Sequence, residues 1–395
     1  GAYALDANTT GTTNTAVGYA ALTANTTASD NTAVGHSSLL VNTTGAGNVA
    51  VGTFALDANT TGANNVAMGE YALSVNTTAS ENTAVGYVAL SASTTAGQNN
   101  AFGRGAMQLT TTGCRNVAVG TNALNANTTG DANVAVGCGA LELTQASDGN
   151  TAIGCGALRN STTANNTSVG SAALFTSTTA VRNVAVGAGA GYAMTTGSEN
   201  TIVGGGYAVG AGAAITTGTC NTFLGNDAGK TTTTGAANVI VGAFSVGSAV
   251  GNNYEIVIGQ AATGKGASTG FIAPAGGGVF QGNNSSSWST TSDRRIKKNI
   301  VDNNIGLDKI SQIQVRNFEY RTEDEITDFE NPKAAVIDKQ GIQLGVIAQE
   351  IELILPDVVK EESTGVKSVN PDNLTWYMIN AIKELKAEIE LLKNK

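Results

Sequence analysis

Aromatic residues make up only 5% of this 395-residue chain, and charged residues only 13%, against a usual quarter. It holds one histidine, His36, with four cysteines and four prolines. Each scarcity argues against a class of function. The length would allow two or three ordinary domains, but a chain this poor in aromatics cannot fill one large mixed core. A single histidine argues against a His-dependent catalytic triad. Cys114, Cys138, Cys155 and Cys220 show no CxxC spacing, which argues against a His/Cys zinc site. No apolar run reaches the roughly 18 residues of a transmembrane helix, so membrane insertion is not expected. The net charge is −9 and the Gly-rich part has no basic patch, so nucleic acid is not an expected partner. No secretory signal is visible. The Gly-rich stretch Gly187–Gly191 lacks the Lys-Ser/Thr pair and the βαβ context of a phosphate loop. No cofactor and no metal ion is expected.

What is present is Gly, 50 residues of it, with abundant Ala, Thr and Asn. At 41% apolar the chain is too hydrophobic for a simple disordered tail. A motif Asn-x-(Ala/Val/Ile)-Val-Gly recurs along it. Its glycines are 18, 35, 52, 69, 86, 103, 120, 137 and 154, each 17 residues apart. They continue at 170, 187, 204, 225, 242 and 259, with deviant spacings of 16 before Gly170 and 21 before Gly225. An Asn stands four residues before each glycine from Asn14 to Asn238; the last copy has Glu255 there. Gly1 falls in register and no initiator Met is present. The expectation is a chain that starts mid-array, with an N-terminal region missing.

A 17-residue period is too short for a helix pair. It fits two short strands and two turns, one coil of a β-solenoid or β-roll. Asn14–Gly18 reads as the first strand and Tyr19–Leu22 as the second. The Asn-Thr-Thr-Gly stretches read as turns, with Gly supplying positive φ. Coils stacked at about 4.8 Å would give a rod roughly 70 Å long. Identical positions then form ladders of Asn and Thr along the axis. Four residues after each glycine stands a large apolar residue, from Leu5 and Leu22 to Leu158 and Leu174, with Met107 among them. Beyond that the position holds Gly191, Ala208, Gly229 and Val246. A slimmer cross-section or a rearranged packing is expected there. So thin a roll encloses little volume, and side-by-side association of several chains is the simplest remedy.

Within the array, His36 reads as a solvated loop residue. Cys138 and Cys155 share one repeat position in adjacent coils, within disulfide range, but parallel side-chain directions favour reduced, packed thiols. The Asn-Thr-Thr triplets match the glycosylation pattern and read instead as ladder and turn residues.

Composition changes sharply near residue 292. Residues 293–395 carry 15 of the 21 Lys/Arg and 19 of the 30 Asp/Glu. The division is a repeat shaft over 1–260, a Gly/Ser/Thr-rich linker over 261–291 and a separate domain over 292–395. The fold class is a mainly β repeat of 17-residue solenoid coils, expected to be trimeric, followed by a small α+β domain ending in a coiled-coil helix. Met378, Ile382, Leu385, Ile389 and Leu392 give that helix a heptad seam. A core helix packed on its own domain is the plainer reading. The run Ser292-Asp293-Arg294-Arg295-Ile296-Lys297-Lys298 reads, by itself, as a helix cap followed by a solvated basic face.

The array resembles the head repeats of trimeric autotransporter adhesins and, more closely, the repeats of phage and prophage tail fibres. That implies a trimeric β-roll, although the period is longer than in the adhesin heads. In the last 108 residues, five segments stand in a telling order. They are Ser292–Ile300, Leu344–Ile351, Leu355–Val359, Lys367–Asn370 and Ala381–Leu385. Together they resemble the intramolecular chaperone domain of endosialidases, the S74 peptidase family. Pro371 departs from the pattern, where a Tyr is more usual. The resemblance implies a domain that trimerises, guides folding of the fibre before it, and then cuts itself off at Ser292–Asp293. Ser292 would be the nucleophile and Lys297 its base, with Asp293 orienting the groups. A Ser hydroxyl needs a base, and a Lys serves once its pKa is lowered. Burial or the positive charge of Arg294, Arg295 and Lys298 would do that. An intramolecular reaction gains from high effective concentration.

The expected function is a trimeric viral tail fibre for host attachment, with single-turnover self-cleavage and no external substrate. Its partners would be two further copies of itself, a host surface receptor with glycans among the candidates, and other tail proteins through the missing N-terminal part. Its place would be the virion, after assembly in the host cytoplasm. A bacterial surface adhesin with a β-roll head is the alternative. A glycan depolymerase ranks last, because the 11 acidic residues of the array are scattered without pairing.

Overall fold

The structure is a computed structural model. It describes all residues except 207–209, 275–277, 283–288, 291–292, 327–336, 338, 362–364 and 395. Contacts divide the chain into two units, Gly1–Thr291 and Ser292–Lys395.

The first unit is a β-solenoid of 17-residue coils. Each coil contributes one three- or four-residue strand, from β1 (Thr15–Val17) to β15 (Ile256–Gly259). Successive strands pair parallel and in register, Thr15 against Thr32 and Ala16 against Ala33. The irregular spacings leave the register intact: Thr151 pairs Thr167, and Thr201 pairs Thr222. The Gly/Ser/Thr-rich stretch continues the same sheet through β16 (Gly270–Ala273), β17 (Val279–Gln281) and β18 (Ser289–Thr290). The first of these pairs parallel to β15, the others antiparallel.

The expected second strand is absent. Tyr19–Leu22 and its repeats form a turn segment in which alternate residues, Ala20 and Leu22, take φ of 53° and 54°. Such left-handed backbone is costly for a single L-residue. Here it is held by hydrogen bonds to both neighbouring coils. Ala20 N–H donates to Ala2 O at 2.9 Å, and Leu22 N–H donates to Ser38 O at 3.0 Å.

Two buried polar ladders run along the solenoid. In the first, each Asn N–H donates to the preceding Asn side chain, as Asn31 does to Asn14 Oδ1 at 3.0 Å. The Asn31 amide donates to Gly45 O at 2.9 Å. This ladder closes at the buried Glu255, whose N–H donates to Asn238 Oδ1 at 2.9 Å. The Glu255 carboxylate accepts from Ser248 N–H and Gly266 N–H at 3.0 and 2.9 Å. The second ladder runs from Asn8 through Asn25, Asn42 and Asn59 to Asn76. The sequon asparagines Asn25, Asn42, Asn59 and Asn76 are fully buried, with their amide nitrogens donating to the ladder. Their place is structural, as the ladder reading of the repeat expected.

The core of each coil is small: an Ala in the middle of the strand, a second Ala, and the Leu of the turn segment. Ala118, Ala123 and Leu124 are all fully buried. Past Leu174 the packing inverts rather than thins. The strand centre grows to Ile202, Phe223 and Ile240, while the turn position no longer holds leucine, with Gly229 in the coil of Phe223 and Val246 in that of Ile240. A Cβ on Gly229 would lie 2.7 Å from the Phe223 ring, so the ring fills the space that a Leu occupies elsewhere. Phe223→Ala is expected to cost about 3–5 kcal/mol through the cavity it leaves. Adding Gly229→Leu restores the Ala/Leu pairing, at a φ of 64° that Leu tolerates in ten coils. Most of the loss should return in thermal unfolding of the double variant. A double variant no more stable than the single one would overturn this account.

One acidic group in the array is misplaced electrostatically. Burial pushes the Asp57 carboxyl above its usual range, against the pull of its own and Ala58 N–H groups. Asp57 Oδ1 has no hydrogen-bond partner among the described residues. Because the folded pKa lies above the unfolded one, the charged form costs stability at neutral pH. That cost disappears as pH falls through the folded value. Asp57→Asn is expected to raise the melting temperature at neutral pH, a gain within about 1 kcal/mol. The gain should shrink on acidification toward about pH 4.

The second unit is a small α+β fold. Helix α1 (Leu307–Ile310) packs on the final helix. Strands β19 (Arg316–Phe318) and β20 (Gln343–Gly345) pair antiparallel. Helix α2 (Ala348–Ile354) and a 3-10 turn (Pro356–Val358) lead into β21 (Val359–Glu361), which pairs antiparallel with β22 (Lys367–Val369). The last element is the 23-residue helix α3 (Pro371–Lys393). Asn370 caps it, accepting from Asp372 and Asn373 N–H. Pro371 takes the first helical position, where its missing N–H costs nothing. Ile351, Leu355, Val358 and Tyr377 form the buried core.

Candidate functional site

The basic run opens with a cap. Asp293 is extended (φ −75°, ψ 135°) and its carboxylate accepts from Arg295 N–H at 2.8 Å, starting a 3-10 turn over Arg294–Ile296. The Arg295 guanidinium folds back on the same carboxylate, with Nη2 2.6 Å and Nε 3.1 Å from Oδ2. These hydrogen bonds hold the Asp293 carboxyl below its usual range and raise Arg295. The pairing also spends one of the positive charges near Lys297. Lys297 follows the turn in extended conformation, its N–H donating to Arg294 O at 3.2 Å, and its side chain is exposed. Ser292 lies outside the described residues. The structure therefore places Asp293 as a cap held by Arg295 and Lys297 on the surface of its own unit.

The other segments of the pattern build the domain. Leu344–Ile351 forms the end of β20 and the start of α2. Leu355–Val359 is the 3-10 turn that feeds β21. Asp357 on that turn accepts from the Tyr377 hydroxyl at 2.6 Å, and this bond is the main reason the phenol pKa rises. Residues 303–310 are strapped onto α3. Asn380 Nδ2 donates to Asn303 O at 2.7 Å, and Leu307 N–H donates to Glu384 Oε2 at 2.7 Å. Gly306 permits this approach, since a Cβ there would stand 2.5 Å from Ala381 N. The buried side of α3 is Tyr377 and Ala381. The heptad seam lies elsewhere and is open: Ile382 is 63%, Ile389 49% and Leu392 69% exposed.

Two surface features of the solenoid escaped the sequence reading. The residue before each strand-ending glycine, from Val17 to Ile258, is apolar in every coil and lies on the outward face of the sheet. Val17, Met68, Phe102, Ile153 and Leu224 are among its exposed members. The column is about 70 Å long, and contiguous exposed apolar surface is the mark of interaction sites. Its signal was in the motif, whose Ala points in and whose Val points out. The second feature is a column of rings, Tyr3, Tyr19, His36, Phe54 and Tyr71, with centroids 5.3 to 5.6 Å apart. His36 is exposed, as expected, but stacks on Tyr19 at 14°. Spacings of 16, 17, 18 and 17 residues hide that column from a strict period.

Residues 292–360 match the family model described as chaperone of endosialidase, peptidase S74. No curated protein and no solved structure matches the chain. A chaperone-of-endosialidase segment behind a β-solenoid fits a protein of the tail-fibre or tail-spike kind that carries an intramolecular chaperone.

Proposed function

We propose that the chain is a bacteriophage tail-fibre protein that works as a homotrimer, its solenoid shaft serving host attachment. The C-terminal domain drives folding and trimerisation and then releases itself between Ser292 and Asp293. The match that begins at Ser292 carries this reading. Two geometric features support the trimer: the apolar column on the sheet and the open seam of α3. Association of three copies can cover each of them. Receptor contact falls to the surface left outside, with the aromatic column one part of it.

Self-cleavage follows from the same assembly. Ser292 is the nucleophile: Oγ gives its proton to Lys297 and attacks the Ser292 carbonyl carbon. The C–N bond to Asp293 breaks as lysine returns the proton to the Asp293 nitrogen. Water hydrolyses the resulting ester, which restores the hydroxyl and leaves a Ser292 carboxylate. Lysine accepts a proton only in its neutral form, which burial favours. Lys297 is exposed in the single chain, so neighbouring copies supply the burial. Asp293 holds Arg295 away from that reaction as a paired cap.

The test is a denaturing gel with intact mass of the purified full chain beside Ser292→Ala and Lys297→Ala. The wild type should break at 292/293, and both variants should remain whole and trimeric. An intact wild-type trimer would remove the protease and keep the chaperone. An intact monomer would remove both.

A further inference from the structure

Cysteine follows the strand-ending glycine in two adjacent coils, and the local sequence Gly-Cys-Gly-Ala-Leu is the same in both, 137–141 and 154–158. The thiols of Cys138 and Cys155 are free and exposed, not packed as the sequence suggested. Gly156 N–H donates to Cys138 O at 2.9 Å, which holds the two coils in register at this column. The residue after each cysteine is glycine, so no side chain at that position screens either thiol.

Side chains in this column stand one above the other. Tyr19 and His36 occupy it in two earlier coils and stack with centroids 5.3 Å apart. Parallel coils keep about 4.8 Å between equivalent atoms. A disulfide asks for Cβ atoms about 3.8 Å apart and turned toward one another. Closing one here would draw two rigid coils together. At the zinc–thiolate length of about 2.3 Å, two metal–sulfur bonds placed in line would span about 4.6 Å, close to the coil spacing of about 4.8 Å. Thiolate sulfur selects soft cations.

We propose that Cys138 and Cys155 form a two-coordinate site for a soft monovalent cation of the Cu(I) class, which clips neighbouring coils together. Binding forms two metal–sulfur bonds and releases two thiol protons to solvent. No electron is transferred, so no oxidant is needed. The remaining cysteines make no such pair. Cys114 donates to Thr112 O at 3.2 Å and Cys220 to Glu199 Oε2 at 3.4 Å, in different coils.

The experiment is titration of the reduced full-length chain with Ag(I), a redox-inert probe of the same class, under inert gas. Native mass should show one silver ion retained per chain, and reactive thiols should fall from the four present to two. Cys138→Ser and Cys155→Ser should each abolish the retained ion, while Cys114→Ser and Cys220→Ser keep it. Cys138, Cys155 and Cys220 are exposed and Cys114 is half-buried, and unchanged melting temperatures without silver would exclude misfolding as the cause. No retained ion, silver shared between chains, or equal loss in the Cys114 and Cys220 variants would each overturn the proposal.

Discussion

Gly120→Ala is expected to destabilise the solenoid by about 3–5 kcal/mol, more than loss of most core side chains. Gly120 has φ of +134°, a region that side-chain-bearing residues rarely enter. A Cβ on it would stand 2.7 Å from both C and O of Gly137 in the next coil. Retreat of that carbonyl is opposed by two hydrogen bonds, from Gly137 N–H to Val119 O at 2.8 Å and from Ala140 N–H to Gly137 O at 3.3 Å. Both the strain and the clash fall on the coil interface, and solenoid stability is largely a sum of such interfaces. Hydrogen exchange should therefore lose protection first in the strands flanking residue 120. Thr129→Ala, at an exposed turn of the same coil, should do little. If Gly120→Ala melted like the wild type, the close approach of glycines could not be what sets the coil spacing.

That column also shows what the sequence discloses and why. The glycines were legible as a period, and so were the buried Asn ladder and the Leu column, because each repeats one side chain at one place. The second segment of the coil misled. Tyr19-Ala20-Ala21-Leu22 is an apolar run of strand length, yet Ala20 and Leu22 are left-handed. Nothing in an Ala or Leu side chain announces that conformation. It is imposed by hydrogen bonds to the coils on either side, which no single repeat contains. The residue five before each glycine behaves the same way. It is left-handed whether it is Asn64, Arg115 or Glu199, and only the Gly, Asn and Asp copies hint at it. The exchange of Leu for Phe223 was half visible. The loss at Gly229 could be read directly, but the compensating ring sits six residues earlier. In the C-terminal unit the ordered segments located the domain. The exposure of Lys297 is a property of the folded unit that residue types do not carry.

That exposure leads to the second large effect: cleavage should depend on assembly. Ile382→Asp with Ile389→Asp places charges in the open seam of α3. Both side chains are exposed in the single chain, Ile382 at 63% and Ile389 at 49%, while Tyr377 and Ala381 hold the helix to its own core. The domain should therefore keep its fold, checked by its helical signal, and lose only its partners. A coiled-coil seam of so few heptads is marginal, so two buried charges should abolish it. If neighbouring copies provide the burial that frees the Lys297 amine, the seam variant should be monomeric and uncut at 292/293, although Ser292 and Lys297 are untouched. Ser292→Ala should be uncut and still trimeric. The two variants thus separate chemistry from assembly on one gel and one native mass measurement. A seam variant that is monomeric and fully cut would mean that the single chain already holds the complete site, and Lys297 would need no partner to act.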